Sequence, residues 1–496
     1  MQEVLIFKPM VIDPGKQRYI LFSIAFATFI SNVDYYIVNI ALVTITNDFR
    51  ATTSDVSWVL LSYQLTITSF LLLFGKLGDR FGMKRIFLFG FSVFTLGSIA
   101  CGLSPTIFFL ILSRAVQGLG ASVLYSIPPA MVSKYFPENK RGSAFGVLAT
   151  TAAIGMILGA PLGGIITGYF SWRWAFLINL PIGIIAVIAA KRILPEDDAP
   201  EMKRSPEREK PHKSFDALGA VLSFAATLNL FYALSMFDEK GWGSPIILGS
   251  MAASIVSVLL FIKWEKRHLD PLVDISLFKN RMFVAENISC ALAYAFLAGN
   301  NFIMPFYLQT LKGLSPQKTG VVFMFYSLVY MVTGPVAGKL SSRIKPRTLC
   351  SLAMLFAAAA IFIFSGFFTA PGLVPVCIFF ACNGFAMATF SISNNTSVMG
   401  SAPEGKEGMV AGILRVMMRL GMAIGVCAFE TVFSLTAVGH SAASGSKLAS
   451  LPLEKLSSGF FYSLVTAGIL CLLAGLLPLF SHRQRKMKKT APGRQA

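Results

Sequence analysis

The chain alternates between long apolar runs and short polar gaps along most of its length. The runs hold roughly 18 to 27 residues, and a helix needs about 20 to cross the hydrocarbon core of a bilayer. They lack the every-second-residue alternation of a membrane β-barrel strand. The pattern therefore predicts an all-α integral membrane protein with fourteen transmembrane helices. The predicted spans are 19–42, 56–74, 86–103, 107–131, 142–167, 172–193, 216–236, 246–263, 282–308, 316–336, 347–366, 372–398, 408–433 and 459–481.

Charge gives these helices an orientation. The net charge of +19 would suggest a nucleic-acid partner in a soluble protein. With both termini in the cytoplasm, however, 33 of the 43 Lys and Arg residues fall in inner segments, 7 in outer loops and 3 within spans. Cytoplasmic loops of membrane proteins carry such an excess. We therefore expect a multi-pass protein of the cytoplasmic membrane with both termini cytoplasmic, no nucleic-acid partner, and a basic tail that contacts membrane lipid.

Two short motifs recur at nearly one offset. GKLGDR at 75–80 returns as GKLSSR at 338–343, and QGLGA at 117–121 returns as NGFAM at 383–387, which are offsets of 263 and 266 residues. Parallel six-helix repeats build one large class of transporters. The predicted organisation is a six-helix bundle (1–193), a cytoplasmic linker (194–215), two inserted helices (216–263), a second six-helix bundle (264–481) and a basic tail (482–496).

Two opposite charges lie within the predicted spans of the first bundle. Asp34 is expected about 8 Å below the outer face, and Arg114 about 10 Å below it, at 1.5 Å of rise per residue. An isolated charge in a span costs about 2.5–3.5 kcal/mol, so matching depth favours a pair. Asp34 is the candidate for proton coupling, because burial and a nearby cation pull its proton affinity in opposite directions. A static structural ion pair is the less favoured alternative.

Small residues line one face of the fifth predicted span. Gly155, Gly159 and Gly163 recur every four residues, with Pro161 and Gly164 beside them. This spacing permits close contact between helix backbones, and a proline inside a helix can bend it. Ordinary tight packing and an interface that rocks during transport explain the glycines equally well.

Other polar residues within spans are candidates for a central cavity, although amides there also serve as helix–helix hydrogen bonds. Arg415 and Arg419 share one helix face, and Arg419 is expected to face water, substrate or an acid of the other half. No catalytic cluster, phosphate loop or metal-ligand spacing occurs, so we expect neither an enzyme nor a metal or cofactor. The candidate cavity residues are Asn39, Gln117, Asn300, Asn301, Asn383 and Arg419.

Five segments carry a resemblance to a known family. They are NVDYYIVNIAL (32–42), WVLLSYQL (58–65), GKLGDRFGMKR (75–85), SRAVQGLGAS (113–122) and GMILGAPLGGIITGYFSWRWAFLINLP (155–181). Together they resemble the major facilitator superfamily and, more narrowly, its fourteen-spanner drug:proton antiporter family of multidrug efflux transporters. The resemblance implies the major facilitator fold, with two six-helix bundles plus two inserted helices.

The resemblance also implies a function and residue roles. The function is proton-driven efflux of small amphiphilic compounds by alternating access, with antibiotic resistance as a consequence. Asp34 and Arg114 would couple protons, and the glycine motif of the fifth span would mark an antiporter. A cytoplasmic latch between the halves would be formed by Gly75, Gly78, Asp79, Arg80 and Arg85.

Some features leave alternatives open. A dedicated exporter or facilitator of one metabolite, natural product or siderophore is the runner-up, and whether a periplasmic adaptor exists stays open. Ser342 stands where the second copy of the latch motif would carry an acid. Arg415 and Arg419 replace the family's usual pattern in the thirteenth span, which favours neutral, zwitterionic or anionic substrates over lipophilic cations.

Overall fold

A computed structural model describes residues 14–195, 217–240, 243–267, 274–403, 407–438 and 452–487. Most of the predicted linker (194–215) and much of the predicted tail (482–496) lie outside these residues. Besides the α-helices, the described residues form a short 3-10 helix at Ile275–Lys279 and short π-helices at Tyr307–Leu311 and Ser434–Val438. The α-helices are α1 (Pro14–Phe49), α2 (Thr53–Phe81), α3 (Met83–Gly102), α4 (Ile107–Tyr135), α5 (Glu138–Tyr169), α6 (Trp174–Leu177), α7 (Asn179–Ile193), α8 (Ala217–Lys240), α9 (Pro245–Glu265), α10 (Arg281–Phe306), α11 (Pro316–Arg343), α12 (Pro346–Phe367), α13 (Val374–Met399), α14 (Glu407–Phe433) and α15 (Leu453–Met487).

Twelve helical segments of the described chain are long and apolar enough to cross a membrane. In that count α6 and α7 form one segment, Trp174–Ile193, while α2 and α8 are not included. α2 nevertheless has 29 residues, a length of about 43 Å, and α8 carries a shorter apolar stretch, Val221–Ala233. The multi-pass helical architecture is thus as predicted, and the number fourteen stays a prediction.

The second half of the chain repeats the helix packing of the first. In the first half α1 packs on α5, α2 on α4, and α3 on both α4 and α7. In the second half α10 packs on α14, α11 on α13, and α12 on both α13 and α15. The two halves meet where α5 packs on α11 and α14 packs on α2, two contacts that the same repeat relates. α8 and α9 pack on each other, and α8 also touches α2 and α14.

The repeat extends to single glycines. A β-carbon built on Gly118 of α4 would lie 2.8 Å from the carbonyl oxygen of Tyr63 on α2. A β-carbon on Gly384 of α13 would collide with the carbonyl oxygen of Tyr326 on α11. These residue pairs are separated by the same 266 and 263 positions as the two recurring motifs. The motifs therefore mark equivalent helix crossings in the two halves.

The polar segment 75–85 is almost entirely helical. α2 continues through Phe81, α3 begins at Met83, and Gly82 alone breaks the helix with φ of +98°. The segment between the predicted spans 56–74 and 86–103 is therefore not a loop but two helix ends with a one-residue break. Lys and Arg are good helix formers, so the charged turns extend α2, and only glycine takes a left-handed conformation without strain.

Gly97→Ala is expected to destabilise the first half. A β-carbon there would lie 2.6 Å from the backbone nitrogen of Gln117, and overpacking of this kind costs about 1–3 kcal/mol. Thermal unfolding of the purified protein, followed by tryptophan fluorescence, should show a lower midpoint. Gly146→Ala is the matched control, because its β-carbon would have no neighbour within 4 Å. Equal midpoints for the two variants would show that α3 and α4 are packed less closely.

Candidate functional site

A fully buried ion pair lies inside the first half. Nη1 of Arg114 on α4 lies 3.1 Å from Oδ2 of Asp34 on α1, and neither side chain is exposed. The same nitrogen donates to Oε1 of Gln117 at 2.6 Å. Helices that cross the same membrane slab bring residues of matching depth together, so the pairing expected from the sequence is present.

Two amides complete the coordination of the carboxylate. Oδ1 of Asp34 accepts from Nε2 of Gln117 at 2.9 Å and from Nδ2 of Asn179 at 2.7 Å. Both amides also donate to the hydroxyl of Ser98 on α3, at 2.7 and 3.3 Å. The carboxylate is thereby held by one cation and two neutral donors from α4 and α7.

The guanidinium of Arg114 makes further contacts within this half. Nε donates to the carbonyl of Val59 at 3.1 Å, and Cζ lies 3.9 Å from the ring centre of Tyr63 and 5.7 Å from that of Phe176. An aromatic face attracts a cation. The cation thus keeps favourable contacts that do not depend on the charge of Asp34.

Sequence reasoning missed Ser98 and Asn179. Asn179 begins α7 immediately after the break that separates it from α6, so its side chain enters the bundle from that break. Its only sequence signal is an amide in the apolar segment WAFLINLP (174–181). Ser98 carries no signal, because hydroxyls in spans commonly bond within their own helix.

A cavity of about 830 Å³ lies between the two halves. We use "terminal side" for the side where α1 begins at Pro14 and α15 ends at Met487, and "far side" for the opposite one. The lining residues come from the terminal-side portions of α5, α11 and α14 and from the middle of α1. The cavity therefore lies toward the terminal side, and its volume is typical of a drug-sized binding site.

The cavity wall combines aromatic rings with two cations. Its charged groups are the guanidinium groups of Arg415 and Arg419 on α14, and among the described residues no carboxylate lines it. Amides of Asn32 and Asn394 add polar groups. The wall tyrosines are Tyr35, Tyr36, Tyr125, Tyr294, Tyr326 and Tyr330.

Arg419 connects the cavity to the first half. Its Cζ lies 3.9 Å from the ring centre of Tyr125 on α4, and Nη1 donates to Oε1 of Gln64 on α2 at 3.1 Å. Arg419 was expected to face water, substrate or an acid of the other half. It lines the cavity, and its partners in the first half are an aromatic ring and an amide rather than an acid. Gln64 directly follows Tyr63, whose ring contacts Arg114. α2 therefore contacts both Arg114 and Arg419.

The other candidate cavity residues lie off the wall. Gln117 belongs to the Asp34 network. Asn39 and Asn383 donate to carbonyls one turn back, Tyr35 at 2.7 Å and Phe379 at 2.8 Å. Asn300 and Asn301 are buried in α10.

The glycine motif of α5 packs on two different helices. β-Carbons on Gly155, Gly159 and Gly163 would meet α1, at 2.8 Å from the Phe29 carbonyl in the first case. A β-carbon on Gly164 would lie 2.5 Å from the carbonyl of Pro316 on α11, in the other half. The helix runs continuously through Pro161.

A glycine of α11 also packs closely on α5, in the other half. A β-carbon on Gly320 would lie 2.5 Å from the carbonyl of Ala160 and 3.0 Å from Cα of Pro161. We call Ala160, Gly164, Pro316 and Gly320 the far-side contact. It closes the halves on the far side, so the described conformation faces the terminal side.

The candidate latch residues lie at the terminal side. A β-carbon on Gly78 would meet Ile127 of its own half, and one on Gly75 would have no neighbour within 4 Å. Arg80 lies over the ring of Phe81 at 5.4 Å, and Arg85 is exposed on α3. The side chain of Asp79 is outside the described part, so the latch stays a prediction.

A second buried acid lies in the other half. Oε1 of Glu286 on α10 is 2.7 Å from Nε of Arg347 and accepts from the hydroxyl of Ser397 at 2.5 Å. This pair joins α10, α12 and α13 on the terminal side. Among the described residues no group of three or more His, Cys, Asp or Glu side chains could hold a metal.

Comparison with known proteins decides the family. Residues 24–426, with a further match at 288–496, fit the Major Facilitator Superfamily. The chain belongs to the major facilitator superfamily. Solved structures agree on the fold: a bacterial homologue of the human lysosomal transporter Spinster, inward-facing and unoccupied, superposes with a TM-score of 0.70 at 14% identity, over 97% of this chain and 100% of that one.

Several curated members of the superfamily are similar in sequence. The riboflavin transporter RibZ of Clostridioides difficile is 34% identical, over 84% of this chain and 89% of that protein. The multidrug resistance protein Stp of Mycobacterium tuberculosis is 30% identical, over 84% and 76%. The tetracenomycin C resistance and export protein of Streptomyces glaucescens is 29% identical, over 83% and 75%. The chain is thus a multi-pass membrane transporter related to proteins named for drug resistance and for riboflavin transport.

Proposed function

We propose that this protein exports small amphiphilic compounds across the cytoplasmic membrane in exchange for protons. The observation that carries the proposal is the fully buried Asp34–Arg114 pair in one half of a molecule whose two halves also line a large cavity. A buried carboxylate binds a proton when its cationic partner moves away and releases it when the partner returns. Rearrangement of the helices around Asp34 can therefore exchange a proton once per transport cycle.

Features at the two sides of the molecule support alternating access. The far-side contact closes one side while the cavity reaches toward the other. In the proposed cycle the halves rock, the far-side contact opens, and residues 75–85 close the terminal side as a latch. Asp34 takes up its proton in that outward-open state and releases it after the return. Inward proton movement thereby drives the substrate outward, with no cofactor and no enzymatic step.

The direction of transport is supported by charge and by relatives. The excess of Lys and Arg supports a cytoplasmic terminal side by the positive-inside rule, so the cavity would load substrate from there. Two relatives are named for drug resistance, one of them also for export. We therefore propose drug resistance as one consequence of expression.

A dedicated exporter or facilitator of one metabolite is the second candidate. A relative named a riboflavin transporter covers most of this chain, which favours a single physiological substrate. The two candidates differ in substrate range, because a dedicated transporter moves one compound class and a multidrug exporter moves several unrelated ones.

The proposed exchange predicts gradient-dependent uptake into everted vesicles. Vesicles with an acidic lumen should accumulate a transported fluorescent compound, and a protonophore should abolish the accumulation. A cationic and an anionic dye, tested with the wild-type protein, measure the substrate range at the same time. Uptake that survives collapse of the gradient would favour a facilitator over an antiporter.

A further inference from the structure

The described lining of the central cavity carries two cations, Arg415 and Arg419. Arg415 and Arg419 lie one helical turn apart on α14, so their like charges are neighbours. Two buried acids of the helices around the cavity are already paired, Asp34 with Arg114 and Glu286 with Arg347. Among the described lining residues there is no carboxylate. A charge in the membrane interior favours a partner of opposite sign, which leaves this site to be neutralised by a ligand.

The rest of the wall suits a flat ring system. The rings of Tyr35 and Tyr36 are 5.2 Å apart at 87°, and those of Tyr326 and Tyr330 are 6.0 Å apart at 30°. Tyr125 already supports the guanidinium of Arg419 at 3.9 Å. Aromatic rings pack favourably against such edges and faces, and tyrosine hydroxyls accommodate polar substituents.

We propose that the cavity selects planar aromatic anions: ring systems that carry a carboxylate or another acidic group. The acidic group binds Arg415 and Arg419, and the rings pack among the tyrosines of both halves. This inference rests on the proposed transport function for its physiological meaning, but the binding itself requires no proton gradient. Lipophilic cations bind weakly, because they meet two like charges where a carboxylate would be needed.

Equilibrium binding to the purified protein tests the selectivity. Fluorescein and rhodamine 6G share a xanthene ring, but the first is an anion and the second a cation at neutral pH. Fluorescence anisotropy should show wild-type protein binding fluorescein at least about tenfold more tightly, the ratio that 1.4 kcal/mol of discrimination gives. Weaker binding of fluorescein than of rhodamine 6G, or no binding of fluorescein, would overturn the proposal.

Substitutions locate the charge recognition. Arg415→Gln and Arg419→Gln should each weaken fluorescein binding about tenfold, and the double variant should lose the preference. Arg419→Lys keeps the charge and should retain most of the affinity, which separates recognition from folding. Arg18→Gln, an exposed position on α1 away from the cavity, removes the same charge and should change nothing. Fluorescein affinity unchanged in the double variant would also overturn the proposal.

Binding and transport fail separately. If fluorescein binds as expected but gradient-driven uptake is absent, the proton-exchange proposal fails and the substrate class stands. If uptake of the cationic dye is gradient-driven and fluorescein does not bind, the substrate class fails and the exchange stands.

Discussion

Asp34→Asn is expected to abolish gradient-driven uptake, to the level of vesicles that lack the protein. Asparagine has nearly the shape of aspartate and can still accept from Gln117 and Asn179, but it cannot bind and release a proton. The coupling carboxylate is lost while the surrounding helices keep their packing. Uptake of either dye from the external medium into everted vesicles with an acidic lumen gives the measurement.

The Asp34→Asn variant is expected to fold, because Arg114 keeps contacts that do not involve the carboxylate of Asp34. Removing one member of a buried ion pair costs about 3–5 kcal/mol when the remaining charge is left alone. Arg114, however, keeps the carbonyl of Val59, the amide of Gln117 and the face of Tyr63. In the proposed cycle, the protonated state of the wild-type protein leaves Arg114 in the same situation.

Asp48→Asn is the matched control. Asp48 lies on the same helix, and its pair with Arg173, at 3.0 Å, is partly exposed, so its loss costs about 0–1 kcal/mol. Uptake by this variant should stay within about twofold of wild type. Substrate exchange without a gradient should persist in Asp34→Asn, because binding and rocking do not require coupling. Loss of exchange together with loss of thermal stability would instead identify a static structural pair, and retained gradient-driven uptake would refute the proton role.

The Asp34–Arg114 contact was predictable from the sequence because two constraints act together. Helix rise fixes the depth of each residue, and the cost of isolated charges in lipid makes a pair the stable arrangement. Neither constraint reaches Asn179 or Ser98. An amide or hydroxyl in a span is satisfied by many partners, so its contacts depend on which helices are neighbours, and that is a property of the packed fold.

Some of the cavity residues were likewise predictable from the sequence, and others were not. Arg419 was predictable as a cavity residue, because a deep cation without an acid at its depth in its own half needs polar surroundings. Asn39 and Asn383 are just as polar in the sequence, yet each bonds to its own helix one turn back. The tyrosines gave no signal, since an aromatic residue in an apolar run suits lipid, core and cavity equally.

The sequence predicts that the glycines of α5 make close helix contacts. It does not predict that they contact two different helices, α1 and α11. Gly163 and Gly164 are adjacent in sequence, and they face α1 and α11 respectively. The four-residue spacing specifies one small-residue face. The neighbouring glycine faces the other half only because α5 lies on the interface between the halves.

The far-side contact leads to the second large prediction, that Gly320→Ala shifts the protein toward an outward-open state. A methyl group 2.5 Å from the Ala160 carbonyl forces α5 and α11 apart. Overpacking costs about 1–3 kcal/mol and acts only in the conformation in which the contact is closed. Since 1.4 kcal/mol is a factor of ten, the ratio of inward- to outward-open molecules should fall about 5- to 150-fold.

Spin-label distances report this shift directly. Labels at Leu103 and Val374, exposed far-side positions in opposite halves, should move apart in Gly320→Ala, in a background where the half-buried Cys377 and Cys382 are replaced by serine. Gly366→Ala, in the same half as Gly320, is the control, because a β-carbon there would have no neighbour within 4 Å. Unchanged distances in Gly320→Ala, beside a normally folded protein, would mean that the far-side contact tolerates the methyl group and does not set the conformational balance. Longer distances together with slower uptake would instead show that closure at Gly164 and Gly320 is a step of the transport cycle. Molecules that are held outward-open load substrate less often from the terminal side.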